Sequence, residues 1–150
     1  KPRRGFLYKT KDGLKYDYVT EMETEGISET TLRFLPDETM VALIRPRWIG
    51  LSKPPYRKWT YTDIGQGIGG PNFLLAPDGK MWAAGRKYGK AAKTSLAIMT
   101  GTTFQHVLEL PSGGDTSYPG MVLHGGLLWM TYYSSHEGGK TSIYLAKIKL

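Results

Sequence analysis

No cysteine occurs among the 150 residues, which excludes disulfides and thiolate chemistry and leaves the redox compartment open. No apolar run approaches the roughly 20 residues that a membrane-crossing helix needs. The start, Lys1-Pro-Arg-Arg4, runs straight into the strand-like Gly5-Phe-Leu-Tyr8 without the apolar core of a secretory signal, so it reads as a cut into a longer chain. A secreted or periplasmic location is expected only if a parent chain supplies such a signal. Sustained 3.6-residue periodicity is missing as well, so helix is expected to be minor. The three histidines, His106, His124 and His136, lack metal-ligand spacing, and neither a metal nor a cofactor is expected.

Acidic residues are scarce: 13 Asp and Glu stand against 20 Lys and Arg, for a net charge of +7. That balance raises nucleic acid as a partner. The basic residues are scattered, however, with no run longer than two, and aromatics do not interleave with them. A solvated basic surface or an anionic small ligand accounts for the charge better, and no nucleic-acid partner is expected.

What the chain does have is short strands between turn signals. Gly5–Thr10 and Tyr16–Met22 flank Lys11-Asp-Gly13, a strong hairpin signal. The acidic Glu21–Gly26 leads to a strand from Glu29, the turn Leu35-Pro-Asp37, the apolar run Met40–Ile44, and strands at Trp48–Ser52 and Trp59–Ile64. Pro54-Pro55 belongs to a connection, because proline donates nothing to a ladder. The pattern then repeats, with a strand from Pro71, the turn Ala76-Pro-Asp-Gly79, the run Met81–Ala84, and strands at Thr94–Thr100 and Phe104–Leu110. A third copy runs Tyr118–Leu123, His124-Gly-Gly126, Leu127–Tyr133 and Ser142–Ile148.

The spacing is regular. Asp37 to Asp78 is 41 residues, Arg45 to Arg86 is also 41, and the third turn at Gly125 follows Asp78 by 47. Four short strands per 40–50 residues mark propeller blades, which bury their faces only by stacking. The expected fold is all-β, a β-propeller fragment of about three four-stranded antiparallel blades. One partial domain is expected, with a half-blade at 1–26, blades at 27–66 and 67–112, and an incomplete blade at 113–150.

In such a blade the innermost strand lines the central channel and begins near its mouth. Glu29, Pro71-Asn72 and Tyr118 occupy such starts, and Tyr118 lies in Gly113-Gly-Asp-Thr-Ser-Tyr-Pro-Gly120. Arg45 and Arg86 end second strands and are placed to lean over the same mouth. Two arginines there would clamp a carboxylate, and a glutamate beside a phenol can take its proton. Each residue also has a structural alternative: strand-end charges for the arginines, a solvated carboxylate for Glu29, and a packed ring braced by Pro119 for Tyr118. Asp115 is expected to cap its Gly-rich turn. Gly65-Gln-Gly-Ile-Gly-Gly70 reads as a flexible inter-blade turn rather than a phosphate loop, since no helix follows it. Adjacent residues in Ser135-His-Glu137 are read as loop polarity, not a triad. Trp82 and Trp129 fall at equivalent second-strand positions and are expected in the inter-blade core.

Three stretches resemble the sialidases, six-bladed propellers of the neuraminidase superfamily: Ser28–Asp37 running on to Arg45, the blade ending in Arg86, and Gly114-Asp-Thr-Ser-Tyr118. The segments Leu128–Glu137 and Thr141–Lys147 are similar to bacterial sialidase-like proteins. The order Glu–Arg–Arg–Tyr resembles the C-terminal half of that family's active site. The resemblance implies an exo-α-sialidase type of glycoside hydrolase acting on sialylated or other acidic glycans. Tyr118 would be the nucleophile, Glu29 its general base, and Arg45 and Arg86 the carboxylate clamp. The family's acid/base Asp and third clamp Arg lie in early blades and have no copy here. Its Asp-box survives only as Ser52…Trp59, with Pro54 and Tyr56 in place of the Asp and Gly. The partners expected are therefore an acidic glycan and either missing N-terminal blades or a second copy to close the ring. A non-catalytic propeller module binding acidic glycans is the alternative.

Overall fold

The computed structural model describes residues 2–150. Asp12 and Gly13 set the first hairpin. The Asp12 carboxylate accepts from the Leu14 and Lys15 amides at 2.8 and 2.9 Å, and Gly13 takes a left-handed φ of 73°. This turn joins β1 (Gly5–Lys9) to β2 (Asp17–Met22), which form a two-stranded sheet.

Two four-stranded meanders follow: β3 (Thr30–Phe34), β4 (Met40–Ile44), β5 (Trp48–Ser52), β6 (Thr60–Asp63), then β7 (Ile68–Leu75), β8 (Met81–Lys87), β9 (Lys93–Met99), β10 (Phe104–Glu109). The chain finishes with a three-stranded sheet of β11 (Ser117–His124), β12 (Leu127–Ser134) and β13 (Ser142–Ile148). All pairings between strands are antiparallel, and there is no helix among the described residues.

The 41-residue repeat is carried by matching turns. Leu35 N donates to Thr39 O at 2.9 Å, and Ala76 N donates to Lys80 O at 2.8 Å. In each turn one position is left-handed, Glu38 at φ 63° and Gly79 at φ 82°. The Ser52…Trp59 stretch closes the β5–β6 connection, where Ser52 Oγ donates to Lys58 O at 2.6 Å and Trp59 Nε1 to Tyr56 O at 3.2 Å.

Apolar strand faces of successive sheets pack against one another, as blades do. Val41, Leu43 and Ile49 of one sheet meet Phe73, Met81, Ala83 and Met99 of the next. Trp82, Ala84 and Leu96 in turn meet Leu128, Met130 and Tyr132. The first strands β3, β7 and β11 stand side by side and are tied by polar links. Thr31 Oγ1 donates to Pro71 O, and Asn72 Nδ2 to Pro119 O, both at 2.8 Å, while Ser117 Oγ donates to Gly69 O at 2.6 Å. The architecture is part of a β-propeller with these three strands at its hub.

Two local expectations are corrected. Ile68, Gly69 and Gly70 are not a flexible turn; they are buried and begin β7. Trp82 is in the inter-blade core, but Trp129 is only half-buried, with the Lys147 ammonium 4.2 Å from its ring centroid. The reason is positional: the Trp129 face of the last sheet has no further blade against it among the described residues.

Candidate active site

The starts of the three hub strands carry the candidate chemistry, and register shows which residues correspond. Arg45 N donates to Glu29 O at 2.9 Å, Gly69 faces Arg86, and Ser117 faces Tyr133. The ladders of β7–β8 and β11–β12 both shift just beyond these pairs, at Gly70-Pro71 and at Tyr118-Pro119. A proline that cannot donate suits such a bulge. Counted back two residues from the pairs beyond the bulge, Thr31–Leu43, Asn72–Ala84 and Gly120–Thr131, Glu29, Gly70 and Tyr118 occupy one position in three blades, and Arg45, Arg86 and Tyr133 a second.

The bulge has a left-handed backbone in both blades, with φ of 53° at Gly70 and 50° at Tyr118. Glycine takes this conformation freely, whereas tyrosine pays about 1–2 kcal/mol for it. Strain of this kind concentrates at functional positions. Here it leaves Tyr118 59% exposed, with its hydroxyl directed across Gly70 toward β3.

Glu29 receives that hydroxyl. Tyr118 donates to Oε1 at 2.5 Å, Arg45 Nη1 to the same oxygen at 3.0 Å, and the Gly70 amide to Oε2 at 2.7 Å. Partial burial pushes the Glu29 carboxyl up. The hydrogen bonds from Tyr118 and Gly70 and the charge of Arg45 outweigh that and hold it below its ordinary value. The partner phenol is shifted the other way. Its bond to the Glu29 carboxylate and that carboxylate's charge raise the Tyr118 pKa, while Arg45 and Arg86 both pull it down. Glu29 is thus an ionised acceptor holding a neutral phenol between two guanidinium groups.

Arg86 is anchored differently, with its side chain only 17% exposed. Its Nε donates to Thr116 O at 2.7 Å, and its Nη2 donates to the Asp115 carboxylate and to Tyr133 Oη, the latter at 2.9 Å. Burial lowers the Arg86 pKa, and Asp115, Tyr133 and Tyr88 together more than restore it. Asp115, expected to cap its own turn, instead extends outward and pairs with Arg86. The Gly113-Gly114 bend, with φ of 62° at Gly114, delivers it there.

Glu29, Arg45 and Tyr118 are therefore in direct contact, and Arg86 stands beside them behind the Tyr133 ring. That ring stacks on Tyr118 with centroids 6.0 Å apart. Gly70, Tyr133 and the Asp115–Arg86 pair are the components that the sequence reading missed. The signal was present in the spacing, since 41 residues past Glu29 is Gly70 and 47 past Arg86 is Tyr133.

The other polar stretch is structural. His136 Nδ1 lies 3.0 Å from Ser134 Oγ, and its ring packs on Tyr144 at 4.3 Å. No cluster of three or more His, Cys, Asp or Glu suited to a metal occurs among the described residues.

No protein-family model matches the chain, and no curated protein sequence is significantly similar to it. Solved structures are similar in fold. A protein of unknown function from Dyadobacter fermentans is 20% identical with a TM-score of 0.85, over 97% of this chain and 45% of that one. The Bacteroides ovatus GH43B protein of a xyloglucan PUL is 16% identical with a TM-score of 0.68, over 97% of this chain and 34% of that one. An α-L-arabinofuranosidase of Fusarium graminearum, in complex with an iminosugar inhibitor, is 12% identical with a TM-score of 0.67, over 81% of this chain and 45% of that one.

The chain shares the propeller fold of these solved structures, the latter two of them glycoside hydrolases. It spans less than half the length of each.

Proposed function

We propose that this chain supplies the nucleophile, base and carboxylate clamp of a sialidase-type glycoside hydrolase. The reading is supported chiefly by one observation, the Tyr118 hydroxyl donating to an ionised Glu29 with Arg45 and Arg86 around it. The phenol oxygen bonds to the anomeric carbon as the bond to the leaving oxygen breaks. Glu29 takes the phenolic proton, and water then hydrolyses the glycosyl-tyrosine. A neutral nucleophile suits a substrate whose anomeric carbon bears a carboxylate, because an anionic one would be repelled. Arg45 Nη2 has no hydrogen-bond partner among the described residues and is a donor for that carboxylate, with the Arg86 guanidinium, which also meets Tyr88, as its second cation.

The general acid and a third arginine, which have no copy in this sequence, come from companion blades of a longer polypeptide. The deciding experiment is hydrolysis of a fluorogenic sialoside by the closed ring, with a fluorogenic arabinofuranoside as the neutral control. Turnover of the sialoside that is lost in Tyr118→Phe is expected. Turnover of the arabinoside alone overturns the reading.

A second reading is a module that binds acidic glycans without cleaving them. It is favoured by the hydrogen bonding of Tyr118, which meets no carboxylate other than Glu29 among the described residues. Binding that survives Tyr118→Phe, fails in Arg86→Ala and never leads to turnover would establish it.

A further inference from the structure

The second-strand position that holds arginine in two blades holds Tyr133 in the third, facing Ser117 as Arg86 faces Gly69. Its half-buried side chain touches both halves of the site. The hydroxyl accepts from Arg86 Nη2 at 2.9 Å, and the ring lies 23° from parallel to the Tyr118 ring, 6.0 Å away. Aromatic pairs at that separation attract in offset geometry. Thr116 O and Asp115 hold the remaining side of Arg86. The last blade therefore contributes no arginine of its own and builds a cradle for its neighbour's.

We propose that Tyr133 is a positioning residue with two separable tasks: its hydroxyl fixes the Arg86 guanidinium, and its ring backs Tyr118 in the orientation that reaches Glu29. The consequence for ligand choice rests on the sialidase-type reading of the same site, because a fixed Arg86 guanidinium meets a carboxylate at a set angle. The surroundings of Tyr133 agree with a neutral hydroxyl that serves Arg86. Burial and the neighbouring Asp115 raise its pKa, with Arg86 opposing them.

Two variants separate the tasks in the ligand-free chain. Tyr133→Phe keeps the ring and removes only the oxygen. The Arg86 Nη2 hydrogens, followed by nitrogen-15 NMR, are expected to exchange about tenfold faster, as loss of the Tyr133 hydrogen bond to a charged group implies. The Tyr118 phenol, followed by carbon-13 NMR, is expected to titrate as in the wild type. Tyr133→Leu removes both contacts. There the Tyr118 pKa is expected to fall toward 10, because the phenol no longer stays on Glu29. Unchanged Arg86 exchange in Tyr133→Phe, or unchanged Tyr118 titration in Tyr133→Leu, overturns the proposal.

A separate arm uses N-acetylneuraminate by calorimetry, where Tyr133→Phe is expected to weaken binding about tenfold. Absence of binding by the wild type would reject the acidic-sugar reading while the two NMR readouts still decide the cradle. Wild-type binding left unweakened by Tyr133→Phe would overturn the role of Tyr133 in ligand choice.

Discussion

Tyr118 and Glu29 are 89 residues apart in sequence, and the phenolic hydroxyl of one donates to Oε1 of the other at 2.5 Å across the blade that separates them. The contact exists because the intervening blade presents a glycine at the corresponding position. A carboxylate held below its ordinary pKa beside a phenol held above its own keeps the proton on the phenol at rest. The acceptor is nonetheless in place for transfer when the oxygen attacks. Tyr118→Phe is therefore expected to reduce sialoside hydrolysis by the closed ring at least ~10²-fold, the low end for losing such a proton transfer, with little change in binding. The check is kcat with the fluorogenic sialoside beside calorimetric affinity for the free sugar acid.

Glu29→Gln tests the electrostatics without chemistry. Glu29 is the principal cause of the raised Tyr118 pKa, and Arg45 and Arg86 lower it. With the carboxylate gone the two largest raising causes are lost while Arg45 and Arg86 still oppose the effect of burial, so the phenol is expected to titrate below its wild-type value. Acid acts through the opposite partner. Because the folded-state pKa of Glu29 is depressed, its contribution to stability is present above its ordinary 4.5 and is lost as pH falls through the folded value. Near-ultraviolet circular dichroism of the tyrosines should therefore change in acid, below pH 4.5, in the wild type and stay flat in Glu29→Gln.

The repeat was legible in sequence because blade turns have strict chemistry. Pro-Asp in the turn and a fixed distance to Arg45 and Arg86 were enough to align two blades, and they led to an all-β propeller portion. Glu29 and Tyr118 were legible as strand starts, but the register of Tyr118 was not, because the β11–β12 turn, Gly125-Gly126, is shorter than the turns of the two preceding blades and shifts the spacing from which register is counted. Gly70 was hidden for a related reason. In a stretch as glycine-rich as Gly65–Gly70, nothing local separates a loop from a strand whose backbone makes room for two neighbours. Asp115 was misjudged because turn propensity describes only neighbours in sequence, and its partner Arg86 is 29 residues away.

Arg86→Lys is expected to weaken acidic-sugar binding about tenfold and to leave binding of a neutral sugar unaltered. A lysine supplies one compact ammonium, which has no counterpart to the Nε bond to Thr116 O and the Nη2 bonds to Asp115 and Tyr133 made together by the planar guanidinium. Calorimetric titration with N-acetylneuraminate and with arabinose gives the comparison. Equal losses for the two sugars would place Arg86 in general packing instead.

Both flanks of the blade stack present apolar side chains. Phe73 and Leu75 pack against Val41 and Leu43 of the blade before them, whereas of their counterparts 41 residues earlier, Leu32 packs on Met22 and Ile27, and Phe34 meets Tyr56 edge-on and remains 56% exposed. At the other end Ile143 and Leu145 are 75% and 54% exposed. Burying such surface drives association at roughly 25 cal/mol per Å². Light scattering is therefore expected to give a mass above the 16.8 kDa of one chain, falling in Ile143→Ser/Leu145→Ser. A mass of twice that value would indicate closure by a second copy. A monomer with unchanged solubility would remove self-association from consideration.

Gly70→Ala addresses the contact that joins the blades. An added Cβ would lie 2.5 Å from Ser117 Oγ and 3.0 Å from both Cδ1 and the amide nitrogen of Tyr118, on a backbone at φ 53°. The backbone nitrogen is not free to yield, so the two hub strands must part. Strained φ and overpacking each cost of the order of 1–3 kcal/mol, which lowers the melting temperature by several degrees in a domain of this size. The separation also acts on the site, since Gly70 N holds Glu29 Oε2 while its Cα borders the path of the Tyr118 ring. The Tyr118 pKa is thus expected to drop toward its ordinary value together with the melting temperature. A variant that melts lower but keeps the raised phenol pKa would show that the Tyr118–Glu29 bond does not depend on the glycine between them.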